Sequence, residues 1–440
     1  MDSARIGILG LGTVGCGTIN VLARNREEIS RRAGREIKVV QASARDLKKQ
    51  RLCPTDGIKL VTDSYEIVRN PNIDVVVELI GGLEPARALV LEAIAHGKHV
   101  VTANKALIAV HGNEIFAAAQ KQGVVVAFEA AVAGGIPIIK TIREGFTGNR
   151  IEWIAGIING TSNFILTEMR DKGRDFADVL AEAQHLGYAE ADPTFDVEGV
   201  DAAHKLTILA AIAFGIPLQF KQVYAEGITK ITRADVAYAE ELGYRIKQLA
   251  IARRANDKVE LRVHPALIPQ RRIIANVDGA MNAILVKGDA VGPTLFYGAG
   301  AGAEPTASAV TADLVDVVRT LTTDPNNRVP HLAFQPDSIV NLPILPMEQV
   351  ETAYYLRMHA EDRPGVLADV TRILGDLGIS IEAILQKEPR EGEKVVPIII
   401  LTHRVLEKNM NTAIQRIEAL PAIPGDVMRI RLEQLHGDRK

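Results

Sequence analysis

Residues 183–205 read AQHLGYAEADPTFDVEGVDAAHK. Glu190, Asp192, Asp196, Glu198 and Asp201 precede a single cation, Lys205. Asp201 and Lys205 lie four apart, so a helix puts them on one face. On an exposed helix such a pair is a surface salt bridge worth roughly 0.2–0.5 kcal/mol. Here Leu206–Phe214 is almost wholly apolar, which predicts a buried helix with a lysine near its start. An ammonium set among carboxylates can donate a proton to a developing alkoxide, and the carboxylates can orient an amino-acid ammonium.

A second group of residues points to a dinucleotide. Gly10-Leu-Gly12-Thr13-Val14-Gly15 fits GxGxxG after the apolar run Ile6–Leu9 and before a helix. The first glycine permits the tight turn, the second lets pyrophosphate approach the backbone, and the third permits close helix–strand packing. The helix N-terminus attracts the phosphates. The second strand runs into Ser43-Ala44-Arg45-Asp46. Arg45 there suits a ribose 2′-phosphate and so leans toward NADP. The alternative is that Arg45 is a solvated charge and Asp46 takes the 2′-hydroxyl of NAD.

The elements that must carry these residues alternate in the first third. Strands are expected at Arg5–Leu9, Lys38–Ala42, Ile73–Leu79, His99–Thr102 and Val124–Phe128. Helices are expected from the glycine loop to about Arg32, over Pro85–His96 and over Glu114–Gln122. Strands separated by helices imply a doubly wound parallel sheet, an α/β fold. The character then changes. A helix around Ile138–Glu144, a strand at Ile151–Ile158 and helices at 161–171, 175–186 and 200–214 are followed by strand-like runs at 259–268, 273–278 and 281–287. That order predicts a central α+β domain with a mixed or antiparallel sheet. Thr306–Thr322 is again helical, and five prolines within Thr323–Met347 read as a linker. The last ninety residues have the order βαββαβ. The division predicted is a dinucleotide domain over 1–137, completed by about 300–325, a central domain over 138–299, a linker over 326–350 and a terminal domain over 351–440.

Composition excludes several classes. The chain has 440 residues, 51 basic and 54 acidic, for a net charge of -3, without the basic excess that drives binding to nucleic acid or anionic membrane. Cys16 and Cys53 form no CxxC pair, which removes a disulfide framework and a cysteine-rich zinc site. A reducing cytoplasm is the default. The uncharged run 6–23 is broken by five glycines and is not a targeting segment, and no apolar stretch reaches the length of a membrane span. His96 and His99 lie across Gly97 at a helix end, a poor arrangement for a shared metal, and His204 is expected to point away from Lys205.

The 183–205 segment resembles the catalytic motif of the homoserine dehydrogenases. Ala183, Gly187, Tyr188, Asp192-Pro193, Asp196, Gly199, Asp201 and Lys205 stand in its register. Val101-Thr102-Ala-Asn-Lys105, Gly156-Ile-Ile-Asn-Gly160-Thr161-Ser-Asn163 and Tyr297-Gly-Ala-Gly-Ala-Gly302 are similar to three further segments of that family, so the resemblance spans essentially 1–325. It implies reversible oxidation of L-homoserine to L-aspartate 4-semialdehyde with NADP or NAD. By position it makes Lys205 the proton donor, with Lys105 a second cation beside it. Glu190 and Asp201 grip the substrate, Asp196 supports them, and Gly160, Thr161 and Tyr188 line its site. The cofactor is bound by the glycine loop with Arg45, Thr102, Lys105, Gly187, Glu190 and Gly302. Glu129-Ala-Ala-Val132-Ala-Gly134-Gly-Ile136 is similar to a stretch holding a monovalent cation, usually sodium, through backbone carbonyls and the glutamate. It reads equally as a glycine-rich turn between domains. A homodimer or homotetramer is implied, with dimer contacts in the central domain.

Asp362-Arg-Pro-Gly365-Val-Leu367 follows a strand and opens an amphipathic helix. With the βαββαβ order it resembles the ACT amino-acid-binding module, which implies feedback by threonine or, alternatively, help in oligomerisation only. Two rivals fare worse. An aspartate-semialdehyde dehydrogenase needs a placed thiolate, and neither cysteine is suitably placed. A nucleotide-sensing DNA regulator needs a basic helix-turn-helix, and none is visible.

Overall fold

The computed structural model describes residues 3–387 and 394–435. Residues 388–393 and 436–440 of the expected terminal domain lie outside the described residues. The chain forms two compact units that interleave along the sequence. One comprises 1–160, 201–223 and 280–342, and the other 161–200, 224–279 and 343–440.

The first unit holds a six-stranded sheet. Its strands are β1 (Ala4–Leu9), β2 (Ile37–Ser43), β3 (Lys59–Val61), β4 (Val75–Glu78), β5 (His99–Thr102) and β6 (Val126–Ala127). Their order is β3-β2-β1-β4-β5-β6, and every pairing is parallel. All four residues of β4 and of β5 are buried, as strands covered on both faces must be. The order reverses between β1 and β4, where such sheets bind ligands beyond their C-terminal ends. The Ala303–Thr320 helix, distant in sequence, shares the core of this sheet: Val310, Leu314 and Val318 pack with Ile6, Ile8, Val75 and Val77. The strands Ile151–Ile157, Met281–Gly288 and Gly292–Ala299 form a separate antiparallel run in the same unit.

The second unit is built on a continuous sheet. Tyr244–Ala255 and Lys258–Pro269 make a long antiparallel hairpin. Met428–Leu432 lies parallel to the second arm of that hairpin and antiparallel to Glu351–Glu361. Val395–Thr402 and Ile381–Gln386 follow outward. Alternation along Glu351–Glu361 divides two cores. Tyr354, Leu356 and Met358 face the helices Val366–Asp376 and Glu407–Glu418, while Tyr355 joins Ile430, Leu432, Ile246 and Leu267 on the other side. A buried ion network crosses this unit. Arg431 is bidentate to Glu407, donates to Glu226 Oε2 at 2.8 Å, and is wholly buried. Tyr354 Oη donates to Glu407 and Tyr224 Oη to Glu226, both at 2.7 Å.

Several expectations are corrected. The helix expected to run to about Arg32 is two, Thr13–Arg24 and Arg26–Ala33, broken at Asn25. The run 273–278 is not a strand. Ile273–Asn276 is a 3₁₀ turn in which Ile274 and Ala275 are buried and Ile273 is exposed, so the burial follows a turn and not the alternation of a strand. The helix around Ile138–Glu144 is one α turn followed by a π turn over Thr141–Gly145. The proline-rich stretch contains short 3₁₀ turns and a β-bridge from Ile344 to Val259, and it is packed: His331 stacks on Phe116 at 5.1 Å and its Nε2 accepts from Val126 N–H at 3.1 Å. Among the described residues no helix is long and apolar enough to cross a membrane.

Candidate active site

The Val200–Phe214 helix carries Lys205. Its residues from Asp201 onward are all buried, because the sequence is apolar on every side beyond the first turn. Asp201 sits in that first turn, where the helix dipole favours an anion. Lys205 Nζ donates to Asp201 Oδ2 at 2.7 Å and to the carbonyl of Ile158 at 2.6 Å. The other carboxylate oxygen, Oδ1, lies 2.7 Å from Lys105 Nζ. Asn159 Nδ2 donates to Oδ2 at 2.9 Å. Thus one carboxylate, 3% exposed, is shared by two ammonium groups, of which Lys205 is 10% and Lys105 36% exposed. Burial by itself pushes the Asp201 carboxyl up, but Lys205 and Lys105 outweigh burial and hold it well below the usual carboxylate range.

The position of Lys105 follows from a chain of caps. Thr102 ends β5 and donates to the buried Glu78 at the end of β4 at 2.7 Å. The Thr102 hydroxyl accepts from Asn104 N–H. Asn104 caps the Lys105–Gln122 helix by accepting from Leu107 N–H at 3.1 Å. Its amide also donates to the Gly82 carbonyl at 2.7 Å. His204 turns toward Phe220, with ring centroids 4.1 Å apart, and burial lowers it to about 4.

The glycine loop has the form a dinucleotide needs. Gly10 adopts φ +99°, and a Cβ there would meet the Leu79 carbonyl at 2.9 Å. A Cβ on Gly15 would lie 2.2 Å from the Gly10 carbonyl, while beside Gly12 there is open space. The Thr13–Arg24 helix has no acidic residue in its first turn and no side-chain cap, so its N-terminal amides remain for an anion. Arg45 is exposed beyond β2. The Asp46 carboxylate accepts from Lys48 N–H at 2.8 Å, which commits one oxygen to a local turn. Gly302, at φ +128°, precedes the Ala303–Thr320 helix.

The turn at 129–136 is buried except at Gly135. Glu129 accepts from the N–H groups of Ile139 and Lys140 at 2.9 and 2.7 Å, so it caps the helix that follows. Burial raises its pKa against those two hydrogen bonds. Asp313 accepts from Glu129 N–H at 2.8 Å, and burial, with Glu129 beside it, raises it well above the usual value. The Ile136 carbonyl accepts from Ile138 N–H at 2.7 Å. Among the described residues there is no group of three or more His, Cys, Asp or Glu side chains that could hold a metal ion. Both Glu129 oxygens and the Ile136 carbonyl thus already accept backbone N–H groups, and carboxylate and carbonyl oxygens are of the hard type that suits a main-group cation.

Gly160 ends the 1–160 segment of the first unit, and the second unit carries Thr161, Gly187, Tyr188, Glu190, Asp192, Asp196 and Glu198. Thr161 Oγ1 donates to the Tyr188 carbonyl at 2.6 Å, and Ser162 Oγ to the Asp196 carbonyl at 3.1 Å. The Tyr188 ring packs on Phe164 at 4.9 Å. Gly187 takes φ +77° where the Phe176–His185 helix gives way to the loop. Glu190 and Asp192 are exposed, and Gln184 donates to the Glu190 carbonyl at 3.1 Å. Glu198 accepts from Thr229 Oγ1 at 3.0 Å.

The structure therefore brings together Lys105, Asp201 and Lys205 in one unit and Thr161, Tyr188 and Asp196 in the other. Sequence reasoning missed Asn159, the Ile158 carbonyl, Asn104 and Glu78. Two signals were available: an asparagine directly before a helix start, and a lone carboxylate ending an apolar strand.

Comparison with known proteins adds a family to this geometry. A model described as homoserine dehydrogenase matches residues 137–315, one described as homoserine dehydrogenase, NAD binding domain, matches 10–129, and an ACT domain matches 354–422. A homoserine dehydrogenase of Pseudomonas aeruginosa is 66% identical over 436 residues, covering 99% of this chain and 100% of that protein. The crystal structure of a homoserine dehydrogenase from Thiobacillus denitrificans superposes with a TM-score of 0.94 at 69% identity, over 99% of both chains. A hyperthermophilic archaeal homoserine dehydrogenase in complex with NADPH matches at TM-score 0.62 and 26% identity, over 72% of this chain and 98% of its own.

Proposed function

The chain belongs to the homoserine dehydrogenase family of oxidoreductases, with an NAD(P)-binding domain and an ACT domain, and from that premise we propose how its own residues work. The reaction is the interconversion of L-homoserine and L-aspartate 4-semialdehyde. When bound, the nicotinamide dinucleotide supplies the hydride acceptor or donor. Lys205 exchanges the proton: its ammonium gives one to the alkoxide as the aldehyde is reduced, and its amine takes one from the hydroxyl in oxidation. Lys105 adds a second positive charge. Asp201 holds both, and Glu190, Asp196, Thr161, Gly160 and Tyr188 orient the amino-acid end of the substrate. The observation that carries this reading is the single buried Asp201 carboxylate within 2.7 Å of both ammonium groups. The test is NADPH oxidation with aspartate semialdehyde, and absence of turnover overturns it.

The preferred cofactor is NADP, through Arg45. The NADPH-bound archaeal relative supports that choice. Arg45→Ala is expected to raise KM for NADPH about tenfold, roughly 1.4 kcal/mol, and to leave NADH almost unchanged. Glu129 with the carbonyls of Val132, Gly134 and Ile136 holds a monovalent cation, most simply sodium, which offsets the buried carboxyls. Replacing sodium by tetramethylammonium tests that assignment. Threonine acts at the ACT domain, and no change in rate, KM or cooperativity at millimolar L-threonine would remove this idea. The 1–137, 138–299 and 351–440 division describes functional modules, and the active form is a homodimer or homotetramer, to be measured by light scattering.

A further inference from the structure

Lys247 lies on the Tyr244–Ala255 strand and is 1% exposed. Its position is unusual, because lysine is almost never fully buried unless paired. Its Nζ donates to Asn163 Oδ1 at 3.1 Å, to the Val277 carbonyl at 2.6 Å and to Asp278 Oδ1 at 3.1 Å. Asn163 is itself held on its other side, where Nδ2 donates to the carbonyls of Val277 and Gly279 at 3.0 and 2.8 Å. The Thr167 hydroxyl donates to the Asn163 carbonyl and accepts from Gly279 N–H. One strand, one loop and the first turns of the Gly160–Lys172 helix are therefore fastened at a single amide. That first turn also carries Thr161 and Ser162, whose hydroxyls hold the carbonyls of Tyr188 and Asp196.

We infer that Lys247 is a positioning residue for homoserine binding, acting through Asn163 to fix Thr161 and Ser162 and, through them, the Tyr188–Asp196 segment. The inference rests on the reading of that segment as the substrate grip. It assigns a binding duty to a side chain that touches no substrate. A surface salt bridge would not need three partners and complete burial. A purely structural pair would satisfy Asp278, yet Asp278 already has Arg170 at 2.9 Å and Arg245 at 3.7 Å. What Lys247 adds is the contact to Asn163 and the Val277 carbonyl. The charge on Lys247 is adjustable. Burial lowers it to about 8, with Asp278 opposing and Arg170 and Arg245 adding to the fall. As pH rises past that value the ammonium loses its charge and the hold on Asn163 weakens.

The test is steady-state kinetics of the full chain. Lys247→Met keeps the length and apolar stem and leaves Asp278 paired with Arg170. At pH 7 the homoserine KM is expected to rise at least about tenfold, which is about 1.4 kcal/mol. Changes in kcat should stay within about threefold, and changes in nucleotide KM within about twofold. Between pH 7 and 9 the ratio of variant to wild-type KM should shrink, because the wild type loses the same interaction. Asn163→Leu should reproduce the KM effect, and the double variant should add little to either. An unchanged homoserine KM in Lys247→Met, or a fall in kcat at constant KM, overturns the inference. If Lys247→Met does not fold, an unchanged KM in Asn163→Leu overturns it alone. A wild-type chain that does not oxidise homoserine at all defeats the reading of the reaction instead, before any substitution is made.

Discussion

Two buried charge clusters in this molecule are built from different cations. In the first unit a carboxylate is shared by two lysines, one of which is about a third exposed. In the second, Arg431 and Arg429 face Glu407 and Glu226, and Arg431 and Glu407 are sealed from solvent. An arginine fork suits bidentate pairing and does not give up its proton, whereas a lysine ammonium can. The clusters thus separate two uses of buried charge. On the proposed reading, the lysine cluster keeps a transferable proton at the helix start. The arginine network fastens Met428–Leu432 to the Glu407–Glu418 helix and to Glu226.

Substitutions can break that distinction. Lys205→Ala should lower kcat by about 10²–10⁴ while fluorescence titration shows the nucleotide still bound. Near-normal turnover would refute the assigned role. Lys205→Arg should fall almost as far, because it keeps the positive charge and loses the exchangeable proton. Recovery of activity in the arginine variant would show that charge alone suffices. In the other cluster, Glu407→Ala should cost about 3 kcal/mol in chemical denaturation, leaving kcat of the folded protein unaltered. Arg431→Lys should cost about 1.5 kcal/mol, the value of one charge-assisted hydrogen bond, again without a kinetic effect.

A pH slope tests the buried histidines. Burial lowers His99 and His204 to about 4. The unfolded chain takes up protons at these sites near pH 6.5, and the folded chain resists until about pH 4. The contribution of these two histidines to stability should therefore fall as pH drops through that window, by about 1.4 kcal/mol per pH unit for each, and be constant above it. His204→Gln should make the slope shallower, and an unchanged slope would show that His204 is not held neutral.

Much of this arrangement can be read from residues alone, for physical reasons. Buried parallel strands are continuous apolar runs, so β5 at His99–Thr102 falls where it was expected. The Val200–Phe214 helix shows the same all-round apolarity. The Tyr244–Ala255 strand escaped notice because its sequence, YRIKQLAIARRA, places cations at Arg245 and Lys247 in an element whose Lys247 side chain is buried. Only tertiary partners make that burial tolerable. Gly292–Ala299 carries Pro293 and glycines, which weaken the strand signal. The Arg233–Glu241 helix was also missed, though Thr232 and Asp235 form a capping box that the T-x-x-D spacing displays. Within the site, Asp201 and Lys205 were legible because they stand four positions apart on one helix. The Ile158 carbonyl was not, because a backbone oxygen has no letter of its own.

The placing of Met428–Leu432 between two strands made long before it has a consequence for biosynthesis. While a ribosome still holds those residues, Ala266–Leu267 and Ala353–Arg357 lack the strand that pairs with them on that side, although Tyr224–Ala225 already covers Arg262–Val263. Bare edges recruit foreign strands. Those stretches gain their last partner only when residues 428–432 emerge, so the sheet of the second unit is completed by nearly the last strand the ribosome makes.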